Sequence, residues 1–531
     1  MPNMLHCRRG SVAFATVIAL VPLIGFVALG AEAGSWYVTK QHAQNAADAA
    51  AYSGGLQLAC SIGLSGVACP DTHSVDYRGK QFAAKNGFCN TGDTSYPGSR
   101  CVASLPSGTS QAVTIDIGTY NAGTWTTDAS GQFVRAIVDQ QQPVYLAAVL
   151  GFSTVNPGAT AIARVNQVKQ LCGLGLGKYS GSGSPTSALV FAGNESLSGN
   201  GCGFQSDNTV KFSSVPTFTS GTGWSVYASQ GCQNGGTCDP GIPHNFSMPP
   251  AANPLTRLDT LTFSAVTMST PGGSGNPCGG NGNANISASD PPCVVAPNTS
   301  TTAYRGNLNV TGGSATSQVV GTYFFNGSTV SVGGGTITLG QGTYYFNGGG
   351  LSVSSTGTLT LGSGTPRVGG TYFLDGANLT VGGTLNLGSG TYFFRDSTIN
   401  LNGTVTGTNV NIVMLGNSKL SITGGPVNLS ANFNNTDYPV LNGVLIADLA
   451  PNASNNAVTI NGSAGVDMAL GGVMYFPNVD VTMGGNSVNA NTDCTEIIAN
   501  SLKFSGGSNY LSTKDCASGT VPITQVVTMV Y

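Results

Sequence analysis

The sequence predicts a mainly β protein: an N-terminal transmembrane helix, a small α+β module, then a parallel β-helix-like solenoid. Three observations carry this expectation. A chargeless apolar run extends from Ser11 to Ala31. A short aromatic strand recurs from about residue 320 onward. Glycine, at 77 of 531 residues, has about double its usual share, while only 8% of residues are charged.

The apolar run is long enough to span a bilayer. At about 1.5 Å of helix rise per residue, Val12 to Ala31 matches a hydrocarbon core of roughly 30 Å. Arg8 and Arg9 precede the run, whereas its far side carries only Glu32 and then Lys40. The positive-inside bias therefore places residues 1–10 in the cytoplasm, a transmembrane helix at 11–31, and the rest outside. Pro22 falls inside the run, where a membrane helix tolerates it. The competing reading is a cleaved signal peptide, because Ala31-Glu32-Ala33 mimics an A-x-A cleavage site. A signal core is shorter, about 7–15 residues, which favours the retained anchor. Both readings export the bulk of the chain.

The cysteines agree with export. Of 13 in all, Cys7 lies on the cytoplasmic side, and the other twelve fall into close neighbours: Cys60/Cys69, Cys89/Cys101, Cys172/Cys202, Cys232/Cys238, Cys278/Cys293 and Cys494/Cys516. An even set in an exported, loop-rich chain reads as disulfides, with nearest-neighbour pairing the simplest map. Zinc is the alternative, but there is no C-x-x-C, and His6, His42, His73 and His244 are scattered. With a net charge of −3 and no basic stripe, nucleic acid is excluded as a partner.

The segments follow in order. Residues 32–58 continue the membrane helix outward, rich in small residues, until Ser53-Gly54-Gly55 offers a break. The stretch 32–170 forms this helix plus an α+β module. In it Tyr77–Asn86 reads as a short helix ended by Gly87, and Ala112–Gly118 and Phe133–Val138 as strands. Pro143–Phe152 reads as a second helix stopped at Gly151, followed by a strand at Ala159–Val165. Residues 171–219 begin the β-rich region. Residues 220–300, rich in Gly, Pro, Asn and Cys, read as a disulfide-tied insertion. Residues 301–531 form the repeat domain.

The repeat is carried by Thr322-Tyr-Phe-Phe-Asn326, Thr343-Tyr-Tyr-Phe-Asn347, Thr371-Tyr-Phe-Leu-Asp375 and Thr391-Tyr-Phe-Phe-Arg395. Weaker echoes start at Asn411, Gly443, Gly472 and Thr495, with steps of 20 to 32 residues. Between them lie alternating strands such as Thr329–Val332 and Thr336–Leu339, punctuated by Gly-Gly and Asn-Gly turns. A period of this length signals a solenoid. Stacked coils place Tyr323, Tyr344, Tyr372 and Tyr392 in one ladder. Phe324, Tyr345, Phe373 and Phe393 then lie on the opposite face. Stacked Asn326 and Asn347 are candidates to satisfy backbone groups at the turns. A β-sandwich of hairpins is the alternative architecture.

Catalytic chemistry finds little support. The chain has three glutamates, Glu32, Glu195 and Glu496, and the aspartates of the repeats (Asp375, Asp396, Asp437, Asp448, Asp467, Asp480) do not recur at one coil position. Asp375 and Asp396 come closest to a glycoside-hydrolysing pair, which needs carboxylates about 5–9 Å apart; solvated turn aspartates are the simpler reading. His244, in the Pro-flanked loop Ile242–Phe246, has no Ser-His-Asp set around it. The Gly/Asp repeats of calcium-binding solenoids are missing. The expectation is a non-enzyme with no catalytic, cofactor-binding or metal residues and no cofactor.

Arg8-Arg9-Gly10-Ser-Val-Ala-Phe-Ala, the apolar run interrupted by Pro22, and Gln44-Asn-Ala-Ala-Asp-Ala-Ala-Ala51 together resemble the N-terminus of TadG-like Flp (tight adherence) pilus assembly proteins. Tyr145–Gly151 with Ala159–Ala163, and Cys172-Gly-Leu with Ala188–Asn194 and Gly201-Cys-Gly203, are similar to further stretches of that family. The resemblance covers about the first 205 residues. It implies a bitopic protein of the bacterial inner membrane, N-terminus cytoplasmic and body periplasmic or extracellular. Its implied partners are Flp/Tad assembly proteins or pilins, and envelope polysaccharide is a further candidate. The related pilins carry a Glu five residues after their cleavage point; counted from Gly10, that position is Ala15, which disfavours a role as the major pilus subunit. The expected function is a non-catalytic, membrane-anchored component of pilus assembly, its β-helix serving as a binding or scaffolding surface. The alternative is a surface adhesin or a carbohydrate-binding or carbohydrate-processing β-helix.

Overall fold

The computed structural model describes residues 8–62, 71–93, 95–178, 187–233, 238–263, 275–298, 303–364, 368–452, 457–462, 467–485, 488–489 and 493–531. The chain forms two compact units: residues 1–168 with 525–531, and residues 169–524.

The first unit is built on one long helix, α1 (Arg8–Ile62), which continues through Pro22. Its N-terminal part is exposed and contains a stretch long and apolar enough to cross a membrane. Burial begins at Ala43 and recurs at Ala46, Ala47, Ala50 and Ala51, the three-and-four spacing of one helix face. That face packs on an antiparallel sheet of β1 (Ser110–Asn121), β2 (Thr124–Thr127), β3 (Phe133–Pro143) and β5 (Gly158–Gly175), with the two-residue β4 (Thr154–Val155) beside the end of β3. The short helix α2 (Val75–Lys85) is capped by the Ser74 side chain, which accepts from Tyr77 N.

Gly54-Gly55 does not break α1. A Cβ on Gly54 would lie 2.8 Å from Val134 Cγ1, and one on Gly55 would lie 2.8 Å from Val527 Cγ1. The two glycines let the helix axis approach the sheet, and packing outweighs their helix cost of about 1 kcal/mol each. The helix expected over Pro143–Phe152 shrinks to a 3-10 turn, Ala147–Leu150, because Pro143 closes β3; Gly151 ends it at φ 91°.

The second unit is a parallel β-solenoid of about 13 turns. The aromatic strands Gly321–Asn326, Gly342–Asn347, Val368–Asp375 and Ser389–Arg395 stack in register, so that Tyr323, Tyr344, Tyr372 and Tyr392 face one another. Their rings are 4.5, 4.7 and 4.8 Å apart, the separation of hydrogen-bonded strands. A second ladder stacks Val330, Leu351, Leu379 and Ile399, and a third stacks Ile337, Leu359, Leu385 and Val405. All of these aliphatics are buried inside the coil, and each contributes about 1.5–3 kcal/mol.

The weaker echoes join the same ladder with register shifts, one of them between Val444 and Ile446 where that strand meets Val473 and Met474. Tyr392 pairs with Ile412, and Ile412 faces Ile446, so the echo starting at Gly443 is offset against the one starting at Asn411. Unequal steps are absorbed by loops. The long step from 343 to 371 contains an excursion closed by the Ser363–Val368 bridge. The backbone caps expected of Asn326 and Asn347 are made by other asparagines. Asn283, Asn307 and Asn378 accept from Asn307 N (3.0 Å), Thr329 N (2.9 Å) and Thr398 N (2.8 Å), each one coil on.

The order of coils is not the order of the chain. Sequence and stack advance together from Ala284 to Ser505. The strand Thr495–Ser505 then pairs with residues 173–175 and 189–191, and those pair with Gly203–Ser206 and Thr209–Phe212. Residues 171–245 therefore continue the stack beyond its C-terminal coils, and Phe191 seals the seam between Phe504 (5.5 Å) and Phe212 (5.2 Å). Within 220–300, residues 225–228, 232–233, 284–286 and 293–295 are themselves parallel strands of the stack. Residues 246–263 form a strap across its outer face. There Pro249 O accepts from Gln205, Asp207 accepts from Ala251 N, and Tyr475 OH links Asn253 to Asp259.

Among the described residues, five nearest-neighbour disulfides are present: Cys89–Cys101, Cys172–Cys202, Cys232–Cys238, Cys278–Cys293 and Cys494–Cys516. The expected Cys60–Cys69 pair, through Cys69, and Cys7 lie outside the described residues.

The ladder makes a quantitative distinction between its two faces. Tyr372→Ala, which empties the inner stack, is expected to cost about 3–5 kcal/mol. Tyr345→Ala on the half-buried outer stack is expected to cost about 1 kcal/mol. Urea unfolding of the full chain, followed by circular dichroism, checks the ratio.

Candidate functional site

The aromatic strand carries different chemistry on its two sides because its side chains alternate. Tyr323 and Phe325 enter the coil, while Thr322, Phe324 and Asn326 face outward. Stacking turns the outward positions into three stripes along the solenoid. Thr322, Thr343, Thr371 and Thr391 line one edge. Phe324, Tyr345, Phe373 and Phe393 form the middle, with ring centroids 5.1, 4.9 and 5.1 Å apart. Asn326, Asn347, Asp375 and Arg395 line the other edge.

This surface is covered at both ends, with Phe324 7% and Phe393 1% exposed. At the Phe393 end two rings from elsewhere in the chain do the covering. Phe263 of the strap covers Phe393 at 5.7 Å, and Tyr438 meets it edge-on at 4.9 Å. The loop bearing Tyr438 is pinned by Asn435, whose side chain donates to Thr391 Oγ1 and Asn411 Oδ1. Phe263 also covers Phe373. Tyr345 and Phe373 remain half-buried. Since the rings lie nearly parallel in a column, their faces are occupied by one another and their edges point outward. Such a stripe offers apolar edge contact flanked by hydroxyl and amide groups.

The in-register stack decides the fate of the two candidate carboxylates. Asp375 is aligned with Arg395 and not with Asp396. The Arg395 guanidinium donates to both Asp375 oxygens, and it also lies 4.7 Å over the Phe263 ring. Asp396, one residue later, sits at φ 51° and accepts from Asn417 N at 2.8 Å. Each carboxylate thus has a separate structural partner. His244 is exposed, its Nδ1 at 2.9 Å from Ile242 O and its ring stacked on Phe246. Among the described residues, no group of three or more His, Cys, Asp or Glu is arranged to hold a metal ion.

Among the described residues three acids are buried, Glu195 at 1% exposure and Asp448 and Glu496 at 0%, and the sequence marks none of them as such. The two wholly buried ones are the least partnered. Among the described residues, neither Glu496 carboxyl oxygen has a hydrogen-bond partner, and Asp448 is held only through Oδ1, which accepts from Ala450 N. Burial pushes Glu496 well above the usual carboxylate range and Asp448 up to about 7. The available signal was position: each of these two lies inside or at the end of an apolar strand, Thr495-Glu-Ile-Ile-Ala499 and Val444-Leu-Ile-Ala-Asp448.

The fold and this surface define a class: a chain with an apolar N-terminal helix and a disulfide-bearing parallel β-solenoid that bears an aromatic stripe. Residues 10–57, which fall on α1, match the family model described as putative Flp pilus-assembly TadE/G-like. The chain therefore carries a TadE/G-like Flp pilus-assembly domain at its N-terminal helix. No curated protein and no solved structure matches the chain.

The buried acids set a pH dependence. Their folded pKa values lie above their unfolded ones, so the stability they confer is complete below about pH 4. It is lost as pH rises through about 7 for Asp448. The melting temperature of the solenoid is expected to fall between pH 5 and 8, and Asp448→Asn is expected to flatten that fall. Thermal melts across this range check both.

Proposed function

We propose that this protein is a non-catalytic, membrane-anchored component of Flp/Tad pilus assembly whose solenoid presents a binding or scaffolding surface to the adhesion machinery. The observation that carries the reading is the TadE/G-like match on residues 10–57, coincident with the apolar part of α1. On this reading α1 crosses the inner membrane with Arg8 and Arg9 on the cytoplasmic side. The disulfide-bearing body lies in the periplasm or beyond, where oxidising conditions keep its five described bridges closed.

The outer stripe around Tyr345 and Phe373 is the contact surface of this proposal. Its ring edges suit the apolar side chains of a protein partner such as a pilin or an assembly protein. A sugar ring stacks on an aromatic face, and these faces are occupied by their neighbours in the column. That geometry sets a polysaccharide-binding role second.

A photo-crosslinking amino acid in place of Tyr345 is expected to capture a pilus subunit or assembly protein in living cells. Deletion of the gene is expected to abolish pilus-dependent attachment. Normal piliation in the deletion strain would overturn the assignment, as would polysaccharide turnover that is lost in Asp375→Asn.

A further inference from the structure

We propose that the loop between β3 and β5 is a membrane-docking element that rests in the lipid interface beside the exit of α1. The proposal deepens the reading of α1 as a membrane span and rests on it.

The loop is apolar and exposed where a soluble protein has reason to be polar. No charged residue occurs from Gln140 to Ala163. Within that stretch Tyr145 is 75% exposed, Leu146 48% and Phe152 59%. Among the described residues of the unit, three large apolar side chains are thus left exposed by one short turn.

The depth of the loop is set by one side chain. Glu32 is the first charged residue after the apolar run, and its carboxylate receives three backbone N–H groups from the loop. Tyr145 N donates to Oε1 at 2.6 Å, and Leu146 N (3.0 Å) and Ala147 N (2.8 Å) donate to Oε2. These amides open the 3-10 turn Ala147–Leu150 and would otherwise lack partners. A carboxylate at the end of the hydrocarbon span therefore holds the loop at the level where the helix leaves it. The interfacial zone on each side of a bilayer is about 5–7 Å thick. The Tyr145 and Phe152 rings and the Leu146 side chain need only that reach to enter it.

The α1–sheet packing has the matching geometry. Gly54 of α1 meets Val134 at one end of β3, and Glu32 meets the segment after Val144 at the other. From Glu32 to Gly54 the helix advances about 33 Å, and from Val134 to Val144 the strand returns by about 33 Å. Half-buried Trp36 and exposed Tyr37 lie about one turn beyond Glu32 on the same helix. They supply the aromatic residues that favour a membrane–water boundary.

A lipid surface is the occupant this chemistry fits. The patch has no charge to steer a soluble partner, and it is tethered to the residue at which the span ends. Docking of a second protein on the same patch is an outcome of the test.

The full chain is reconstituted in vesicles of phosphatidylethanolamine and phosphatidylglycerol, with p-benzoylphenylalanine placed singly at positions 26, 120, 145 or 152. Tyr120 lies at the opposite end of the sheet, about 40 Å along the strands from the loop. After irradiation, phospholipid adducts are expected at 26, 145 and 152 and not at 120. Adducts at 26 without adducts at 145 and 152, or protein adducts there in their place, would overturn the docking proposal while leaving the span intact. No adduct at 26 would overturn the span itself and the docking with it. Equal labelling at 120 would overturn the proposal by removing its specificity. Glu32→Gln is expected to lower the yield at 145 and 152 and leave position 26 unchanged; an unchanged yield at the loop would overturn the tether.

Discussion

The spacing between hydrogen-bonded parallel strands governs the second unit. Coils laid in register put every side chain about 4.8 Å from its counterpart in the next coil. Aromatic rings meet that spacing by lying parallel, as the inner Tyr323–Tyr344–Tyr372–Tyr392 column does. Asparagines meet it by accepting the backbone N–H of the following coil. Charges meet it by alternation of sign, which is why Asp375 lies against Arg395. Variation in repeat length is pushed into loops, because a change within a strand would shift every side chain out of its column.

The same constraint leaves open coil ends, and the chain manages them by an unusual order. Residues 171–245 form coils that must be completed against Thr495–Ser505 and Gly507–Leu511, which the chain builds near its C-terminal end. Pairing across so long a separation carries a loop-closure cost that neighbouring coils do not. The strap 246–263 lies across the outer face of coils from both parts, at Gln205 and at Tyr475. It thereby joins the two sides of the seam by hydrogen bonds as well as by the chain itself.

Glu496 and Asp448 show the cost of placing an acid in this architecture. A strand residue is buried or exposed according to what covers its face, and both acids are wholly buried. Deprived of water, the carboxyls favour the neutral form, so part of the solenoid's stability is coupled to protons. In the first unit the opposite solution holds: Glu32, midway along α1, stays partly exposed and keeps three backbone donors.

Periodicity and composition, both local properties, determined much of this protein. The apolar run, its outward continuation in small residues, the aromatic ladder and the five described disulfides were legible because each depends on spacing along the chain. The fold class followed from them. Tertiary structure alone decided that Gly54 and Gly55 continue the helix, that 171–245 cap the far coils, that Asp396 misses Asp375 by one residue, and that Glu496 is dry. These depend on what approaches from elsewhere in the chain: a sheet against a glycine, a strap over a ladder, a register fixed by a neighbouring coil. A glycine or an acid has the same local signature whether or not such a neighbour arrives, and the burial that gives it its role exists only after folding.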